Sequence, residues 1–242
     1  MKKLWVIDFK TAKSIYDEYL LQIAAYYNTW NEFEHGEHPK ADAAGILRLD
    51  KETGMPEFTD CTEGIEKKWL AFWSLRDYYR LNIEGEKEIK KGYKVNGHMA
   101  PSVTEILNIL AKQALIPWAV NSTVDYFQDN LKDLRNPELS VENIEYIFKK
   151  AKTAYRTISK KAMDTGSLVH DAIECYLSGG KPEPILEGND GATNSFLAFL
   201  EWKEKVRLEP IFLEKQLIDP NLEFGGTVDL ITWAEIPEKE ET

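Results

Sequence analysis

The side chains best suited to chemistry in this sequence are an acid and a lysine two positions apart, Asp8 and Lys10. They lie in an apolar segment, residues 4–11 (LWVIDFKT), whose composition predicts a β-strand. Because side chains alternate along a strand, Asp8 and Lys10 share one face and Phe9 points to the other. A carboxylate can bind a divalent cation and a neighbouring ammonium can orient a water molecule. The pair therefore favours metal-assisted hydrolysis.

A second carboxylate is predicted near the other end of the chain. Residues 224–230 (FGGTVDL) predict a strand that carries Asp229. Two carboxylates and a lysine on neighbouring strands are what metal-assisted cleavage of a phosphodiester requires. The glycines at 225 and 226 would allow close approach of a phosphate or of the next strand. The site therefore needs the two ends of the chain to meet.

Two predicted helices add polar groups to this set. The segment GSLVH at 166–170 places His170 on a helix, with Glu174 one turn later. The segment QIAAY at 22–26 places Gln22 and Tyr26 on one helix face at positions i and i+4. Each pattern alone is weak, since a D-x-K triplet is usually a surface ion pair and a lone helix histidine is usually structural. The four together are far more specific.

Composition favours a cytoplasmic globular protein. The 242 residues are 43% hydrophobic and 29% charged, which is ordinary for a chain that buries its own core. No apolar run reaches the length of a membrane span and the N-terminus lacks a signal-peptide core, so we expect no membrane partner. Cys61 and Cys175 are too few for a disulfide framework or an iron–sulfur cluster. We predict reduced thiols in a bacterial, archaeal or phage-infected cell.

The charge distribution indicates a local contact with nucleic acid. The formal net charge of −11 disfavours a generic nucleic-acid binder. Residues 149–161, however, hold six cations and no acid. A solvated helix face is the ordinary explanation of such a run. This run leads directly to the helix of His170, which favours phosphate contacts by Lys152, Arg156 and Lys160.

The remaining pattern predicts alternating strands and helices. Ser102 and Glu105 have the spacing of a capping box at the start of a helix. Residues 82–96 are charged and punctuated by glycine, which predicts an exposed connection. The expected helices cover residues 14–30, 63–81, 119–131, 140–161, 166–177 and 194–206, and the expected strands cover residues 43–49, 57–61, 211–217 and 225–233.

Together the four patterns resemble the PD-(D/E)XK nuclease superfamily, and within it the RecB-like exonucleases. That group has a GxxxH helix, a GxxD strand, a D/E-x-K strand and a QxxxY helix. The segment PSVTEIL at 101–107 is similar to the start of phage exonucleases and of the mitochondrial genome maintenance exonuclease. The resemblance covers residues 101–233 and 4–79. It implies an α/β fold with a mixed central sheet flanked by helices, and a helical wall, roughly residues 101–161, over the DNA groove.

The order of the patterns departs from that family. The family begins at PSVTEIL and ends at QxxxY, whereas this chain begins at D-x-K and reaches PSVTEIL only after QxxxY. Joining the last residue to the first restores the order and places Asp229 and Asp8 on adjacent strands of a hairpin. We therefore interpret the chain as one circularly permuted nuclease domain, in which residues 1–81 carry the D-x-K strand and QxxxY helix, residues 82–98 join the ancestral ends, and residues 99–242 carry the rest. A natural permutation, an engineered one, an unusual numbering and an exchange of strands between chains are all left open.

The resemblance also implies a role for each residue. Asp229, Asp8, His170 and the backbone carbonyl of Phe9 would bind Mg²⁺ or Mn²⁺, two ions in all, and Lys10 would orient the attacking water. Glu174 could orient His170, although a solvated glutamate explains it equally well, and Glu214 could line the cleft or form an ordinary ion pair. Substrate contacts are expected from Gln22, Tyr26 (by stacking on a base), Ser102, Thr104, Lys152, Arg156 and Lys160; for Ser102, helix capping alone is a sufficient explanation.

The implied function is a metal-dependent DNA exonuclease acting from single-stranded ends, in phage-type DNA processing, recombination or repair. Two alternatives stay open: a structure-specific endonuclease of the same superfamily, and a catalytically silent DNA-binding or assembly module. Polarity, preference for DNA over RNA and oligomeric state do not follow from the sequence.

Overall fold

The computed structural model describes residues 1–84, 89, 92–110, 115–130 and 140–237. The chain forms two compact units. We call the first the sheet unit (Met1–Leu110 with Leu168–Thr242) and the second the helical unit (Ala111–Ser167). Within the described ranges, no helix is both long and apolar enough to cross a membrane.

The predicted strands and helices occur in the predicted order, and the sequence pattern missed the two short strands within residues 93–100 and the short helix at residues 183–186. The strands are β1 (Lys3–Lys10), β2 (Ala43–Leu49), β3 (Pro56–Asp60), β4 (Tyr93–Val95), β5 (His98–Ala100), β6 (Arg207–Asp219) and β7 (Phe224–Glu235). The helices are α1 (Asp17–Thr29), continued by a π-helical turn (Trp30–Glu34), α2 (Ile65–Asn82), α3 (Val103–Leu107), α4 (Leu115–Asp129), α5 (Val141–Leu177), α6 (Glu183–Leu186) and α7 (Asp190–Lys205).

The sheet unit is built on a mixed five-stranded sheet with the strand order β3-β2-β1-β7-β6. Strand β1 is parallel to β2, to which α1 makes the crossover, and antiparallel to β7. The remaining pairs, β2–β3 and β6–β7, are antiparallel. This arrangement confirms the predicted α/β class with a mixed sheet flanked by helices.

Strand β1 is buried on both faces, which explains its nearly continuous apolar sequence. Leu4 and Val6 belong to an apolar cluster that includes α1, α2 and α3. Trp5, Ile7 and Phe9 belong to a second cluster that includes α7 and the end of α5. Because side chains alternate along a strand, Asp8 and Lys10 lie on the same face as Leu4 and Val6. This is the face that α1 covers.

The predicted meeting of the two ends of the chain is confirmed. Strands β1 and β7 pair in register from Lys3 with Ala234 to Ile7 with Leu230. Asp8 and Asp229 therefore lie just beyond the same end of this antiparallel ladder.

Two sequence expectations need correction. Separate helices were expected at 140–161 and 166–177, but α5 is continuous from Val141 to Leu177. Gly166 does not interrupt it, since a glycine inside a helix costs only about 1 kcal/mol and no proline is present.

The second correction concerns the connection at 82–96. The last residues of this connection form strand β4. This strand pairs with β5 in a hairpin whose turn residues are Asn96 and Gly97. Both turn residues have positive φ, 48° and 89°, as the type I′ hairpin turn requires. Several predicted segments lie outside the described residues. They are residues 85–88 and 90–91 of the connection, residue 131 at the end of a predicted helix, and residues 111–114 and 131–139 of the predicted helical wall.

Candidate metal centre

The two catalytic candidates on β1 and β7 lie where these strands stop pairing. The last pair of the ladder is Ile7 with Leu230. Beyond it the backbone N–H of Phe9 donates to Oδ2 of Asp229 instead of to a strand carbonyl. Asp8 and Asp229 are both buried, with 2% and 7% exposure. The end of the ladder therefore holds two acids that are largely shielded from water.

Three potential metal ligands converge at this point. The ligand atoms of His170, Glu214 and Asp229 all lie within 4.8 Å of one another. Nδ1 of His170 is 3.0 Å from Oδ1 of Asp229 and 3.9 Å from Oε1 of Glu214. The GxxxH helix and the GxxD strand thus supply a common site, and β6 adds the residue that the sequence marked only as a secondary candidate.

The backbone of Glu214 is strained. Its φ of +47° lies in the left-handed region, inside a strand and in a residue that is not glycine. Its neighbours Leu213 and Lys215 pair with Leu230 and Val228, so the distortion lies beside Asp229. Such a conformation costs of order 1–3 kcal/mol and is concentrated at functional sites. It is independent support for a functional role of Glu214.

Asp8 and Lys10 form an ion pair next to this cluster. Nζ of Lys10 is 2.6 Å from Oδ2 of Asp8 and 4.9 Å from the centre of the Tyr19 ring. Burial raises the pKa of Asp8 to about 6, with Lys10 opposing the rise and Asp229 adding to it. Burial would lower the pKa of Lys10, but the charges of Asp8 and Asp229 raise it above its ordinary value. Lys10 is therefore a cation at neutral pH.

His170 and Asp229 are an oppositely charged pair in the absence of a metal. Burial opposes protonation of His170, but the charge of Asp229 raises its pKa to about 10. Burial would likewise raise the pKa of Asp229, yet His170 holds it below its ordinary value. His170 thus carries a proton at the position where a cation would bind. Binding of a metal would release this proton from His170.

The Gln22–Tyr26 pair is preserved, in a different role from the one expected. Nε2 of Gln22 donates to the Tyr26 hydroxyl at 2.8 Å. Tyr26 is only 3% exposed, and a Cβ at Gly226 would lie 2.3 Å from its ring. Gly226 therefore makes room for Tyr26, not for a phosphate or a strand. The buried ring has no open face for a base, so substrate contact at this position is a prediction for half-buried Gln22 alone.

Ser102 caps α3, as its spacing from Glu105 predicts. Its hydroxyl accepts from the backbone N–H of Glu105 at 3.0 Å. The carboxylate of Glu105 accepts instead from the Tyr79 hydroxyl at 2.9 Å, so the capping box is not reciprocal. Thr104 is exposed. Phosphate contacts by Ser102 and Thr104 stay predictions.

The other predicted residues are exposed. Glu174 lies on the surface of α5, and the carboxylates that contact His170 are Asp229 and Glu214, which favours the interpretation of Glu174 as a solvated glutamate. Lys152, Arg156 and Lys160 belong to the helical unit, and their contact with a substrate stays a prediction.

No protein-family model, curated protein or solved structure matches this chain. The function is therefore inferred from the residues of the site.

The donor set fits a divalent cation. Two carboxylates are the ligands that Mg²⁺ and Mn²⁺ prefer, and an imidazole is a nitrogen ligand that Mn²⁺ accepts more readily than Mg²⁺. In the described part of the chain the cluster comprises His170, Glu214 and Asp229, and Asp8 is not a member of it. Ligation by Asp8 and by the carbonyl of Phe9 stays a prediction.

Proposed function

We propose that this protein is a metal-dependent nuclease that hydrolyses phosphodiester bonds in DNA, with a PD-(D/E)XK-like core in circularly permuted order. One observation carries the proposal. The potential metal ligands His170, Glu214 and Asp229 lie beside the Asp8–Lys10 ion pair, at the end of the β1–β7 ladder. The positive φ of Glu214 inside a strand supports the proposal, because strained backbone is concentrated at functional sites.

The residues divide into two functional groups. His170, Glu214 and Asp229 would hold the cation, with Asp8 beside them. When bound, the cation supplies Lewis-acid stabilisation of negative charge and lowers the pKa of a water molecule. The chain's own contribution is to keep these donors together in a partly buried site, where electrostatic interactions are stronger than in water.

Lys10 acts as a fixed cation. Its ammonium is held by Asp8 and by the face of Tyr19, and it is protonated at neutral pH. It can therefore donate hydrogen bonds to a water molecule or to a phosphoryl oxygen. Asp8, whose pKa lies near 6, can take up a proton close to neutral pH.

The preference for single-stranded ends depends on the resemblance to RecB-like and phage exonucleases. The basic segment of α5 supports a DNA substrate, since its six cations are exposed and form no ion pair within the described residues. These cations belong to the helical unit, where they can contact phosphates along a strand.

A nuclease assay tests the proposal. End-labelled single-stranded DNA, duplex DNA and covalently closed single-stranded circles are incubated with Mn²⁺, Mg²⁺ or EDTA. Wild-type protein is compared with Lys10→Ala and Asp229→Asn. Lys67→Ala is the matched control, because it removes an exposed lysine of α2 that has no ion-pair partner among the described residues.

We expect metal-dependent loss of linear single strands, with circles intact. Lys10→Ala and Asp229→Asn should lower the rate at least about 100-fold, and Lys67→Ala should leave it unchanged. Cleavage of circles would make the protein an endonuclease. Absence of cleavage by folded wild-type protein in both metals would refute the nuclease proposal and favour a silent binding module.

A further inference from the structure

A polar cavity lies within the sheet unit, and strand β6 lines it close to the candidate metal centre in sequence. Its volume is about 540 Å³, inside the range of about 300–1,000 Å³ that is typical of ligand sites. No residue that lines it was identified from the sequence as a ligand-binding group except Ser102. The lining residues are Gly92, Tyr93, Lys94, Ser102, Gln216 and Ile218.

The cavity lies two residues along the β6–β7 ladder from the candidate metal ligands. Gln216 pairs with Thr227. These two residues are two positions from Glu214 and Asp229 on their respective strands. At a rise of about 3.3 Å per residue, the separation along the strands is about 7 Å. This distance is on the scale of a single nucleotide.

The ring of Tyr93 is held in place at this cavity. Its hydroxyl hydrogen-bonds with Oγ1 of Thr227 at 2.9 Å. The side chain lies directly against Gly225, where a Cβ would be only 2.2 Å from Cγ of the ring. The first glycine of the pair therefore makes room for Tyr93, as Gly226 does for Tyr26. A fixed aromatic ring in a polar cavity is a suitable surface for stacking a base.

Two further side chains supply the polar groups that nucleotide binding needs. Lys94 is exposed and has no ion-pair partner in the described part of the sheet unit. Gln216 is also exposed, and its amide has no hydrogen-bond partner among the same residues. A lysine can bind a phosphate, and a free amide offers both a donor and an acceptor to the edge of a base.

We propose that this cavity binds the nucleotide next to the bond that is cleaved. The base stacks on Tyr93, the amide of Gln216 contacts its edge, and Lys94 contacts its phosphate. This proposal rests on the proposed nuclease function, because it takes the position of the cleaved bond from the metal cluster.

Two measurements test it. The first is the equilibrium binding of a fluorescein-labelled oligothymidylate in Ca²⁺, followed by fluorescence anisotropy, with thymidine monophosphate as competitor. The second is KM and kcat for the same strand in Mn²⁺. The variants are Tyr93→Leu, Gln216→Ala and Lys94→Ala. The control is Lys67→Ala, which removes an exposed lysine outside the cavity.

We expect the three cavity variants to raise Kd and KM for the strand about 5- to 10-fold, while the Lys67→Ala control stays within about twofold. Unchanged strand binding in folded Gln216→Ala and Lys94→Ala would overturn the proposal, as would wild-type protein that binds no strand. Variants that weaken only thymidine monophosphate would also overturn it. If the variants weaken strand binding but wild-type protein has no activity, the cavity binds a nucleotide of the strand, while the nuclease proposal fails and no cleaved bond lies next to that nucleotide.

Discussion

Replacement of Asp229 by asparagine should make the metal-free protein less stable in a way that depends on pH. The carboxylate of Asp229 is buried, accepts from the backbone of Phe9 and lies 3.0 Å from Nδ1 of His170. Asparagine keeps the shape and removes the charge. The pKa of His170 rises from 6.5 to about 10 in the folded protein, against the effect of burial, because of that charge.

The magnitude follows from this shift. At about 1.4 kcal/mol per pH unit, the proton on His170 stabilises the folded state by at most about 5 kcal/mol. Because the pKa is raised on folding, this stabilisation is fully present below pH 6.5 and is lost as the pH rises to about 10. Loss of one partner of a buried pair typically costs about 3–5 kcal/mol, in agreement with this value.

Urea denaturation in EDTA at a series of pH values measures the effect. Asp229→Asn should lower the free energy of unfolding by about 3–5 kcal/mol at pH near 6, and by at most about 1 kcal/mol above pH 10. Glu201→Gln is the matched control, because it removes an exposed carboxylate paired with Lys205 at 2.7 Å; it should cost less than about 0.5 kcal/mol at every pH. A cost for Asp229→Asn that does not change with pH would refute the assigned charge state of His170.

Three further substitutions test the packing around the site, each by its effect on the free energy of unfolding. Gly226→Ala should destabilise by about 1–3 kcal/mol, because the added Cβ would lie 2.3 Å from Tyr26; in a Tyr26→Ala background the added cost should nearly vanish. Arg76→Ala should cost about 3–5 kcal/mol, because this buried guanidinium binds one carboxylate and two backbone carbonyls; Arg76→Lys should not restore the loss, and Arg80→Ala, in an exposed pair, should cost less than about 1 kcal/mol. Ser102→Ala should cost about 1 kcal/mol through loss of the α3 cap, whereas Ser102→Asp should retain most of the stability.

The part of the site that could be predicted from sequence is the part with local patterns. Strand alternation places Asp8 and Lys10 on one face, and the GxxxH pattern within helix α5 carries His170. The meeting of β1 and β7 was predicted from the permuted order of the patterns, and the register of these strands confirms it.

The rest depends on the tertiary structure. No sequence signal marks Glu214 as a residue with positive φ, because glutamate has no preference for that conformation. The two glycines of β7 predict that some group packs closely against this strand. Only the fold shows that these groups are the rings of Tyr93 and Tyr26. The hairpin of β4 and β5 is different, since Asn96-Gly97 is a strong hairpin signal that could have been recognised in the sequence.

The central claim is that His170, Glu214 and Asp229 form a divalent-metal site. Titration of Mn²⁺ into metal-free protein, followed by electron paramagnetic resonance, tests it most directly. We predict saturable binding by wild-type protein that weakens at least about tenfold in Glu214→Gln, with a proton released on binding. The exposed acid Asp190 provides the control, and Asp190→Asn should bind as wild type does. Equal Mn²⁺ binding by wild-type protein and Glu214→Gln, or no binding by either, would contradict the account.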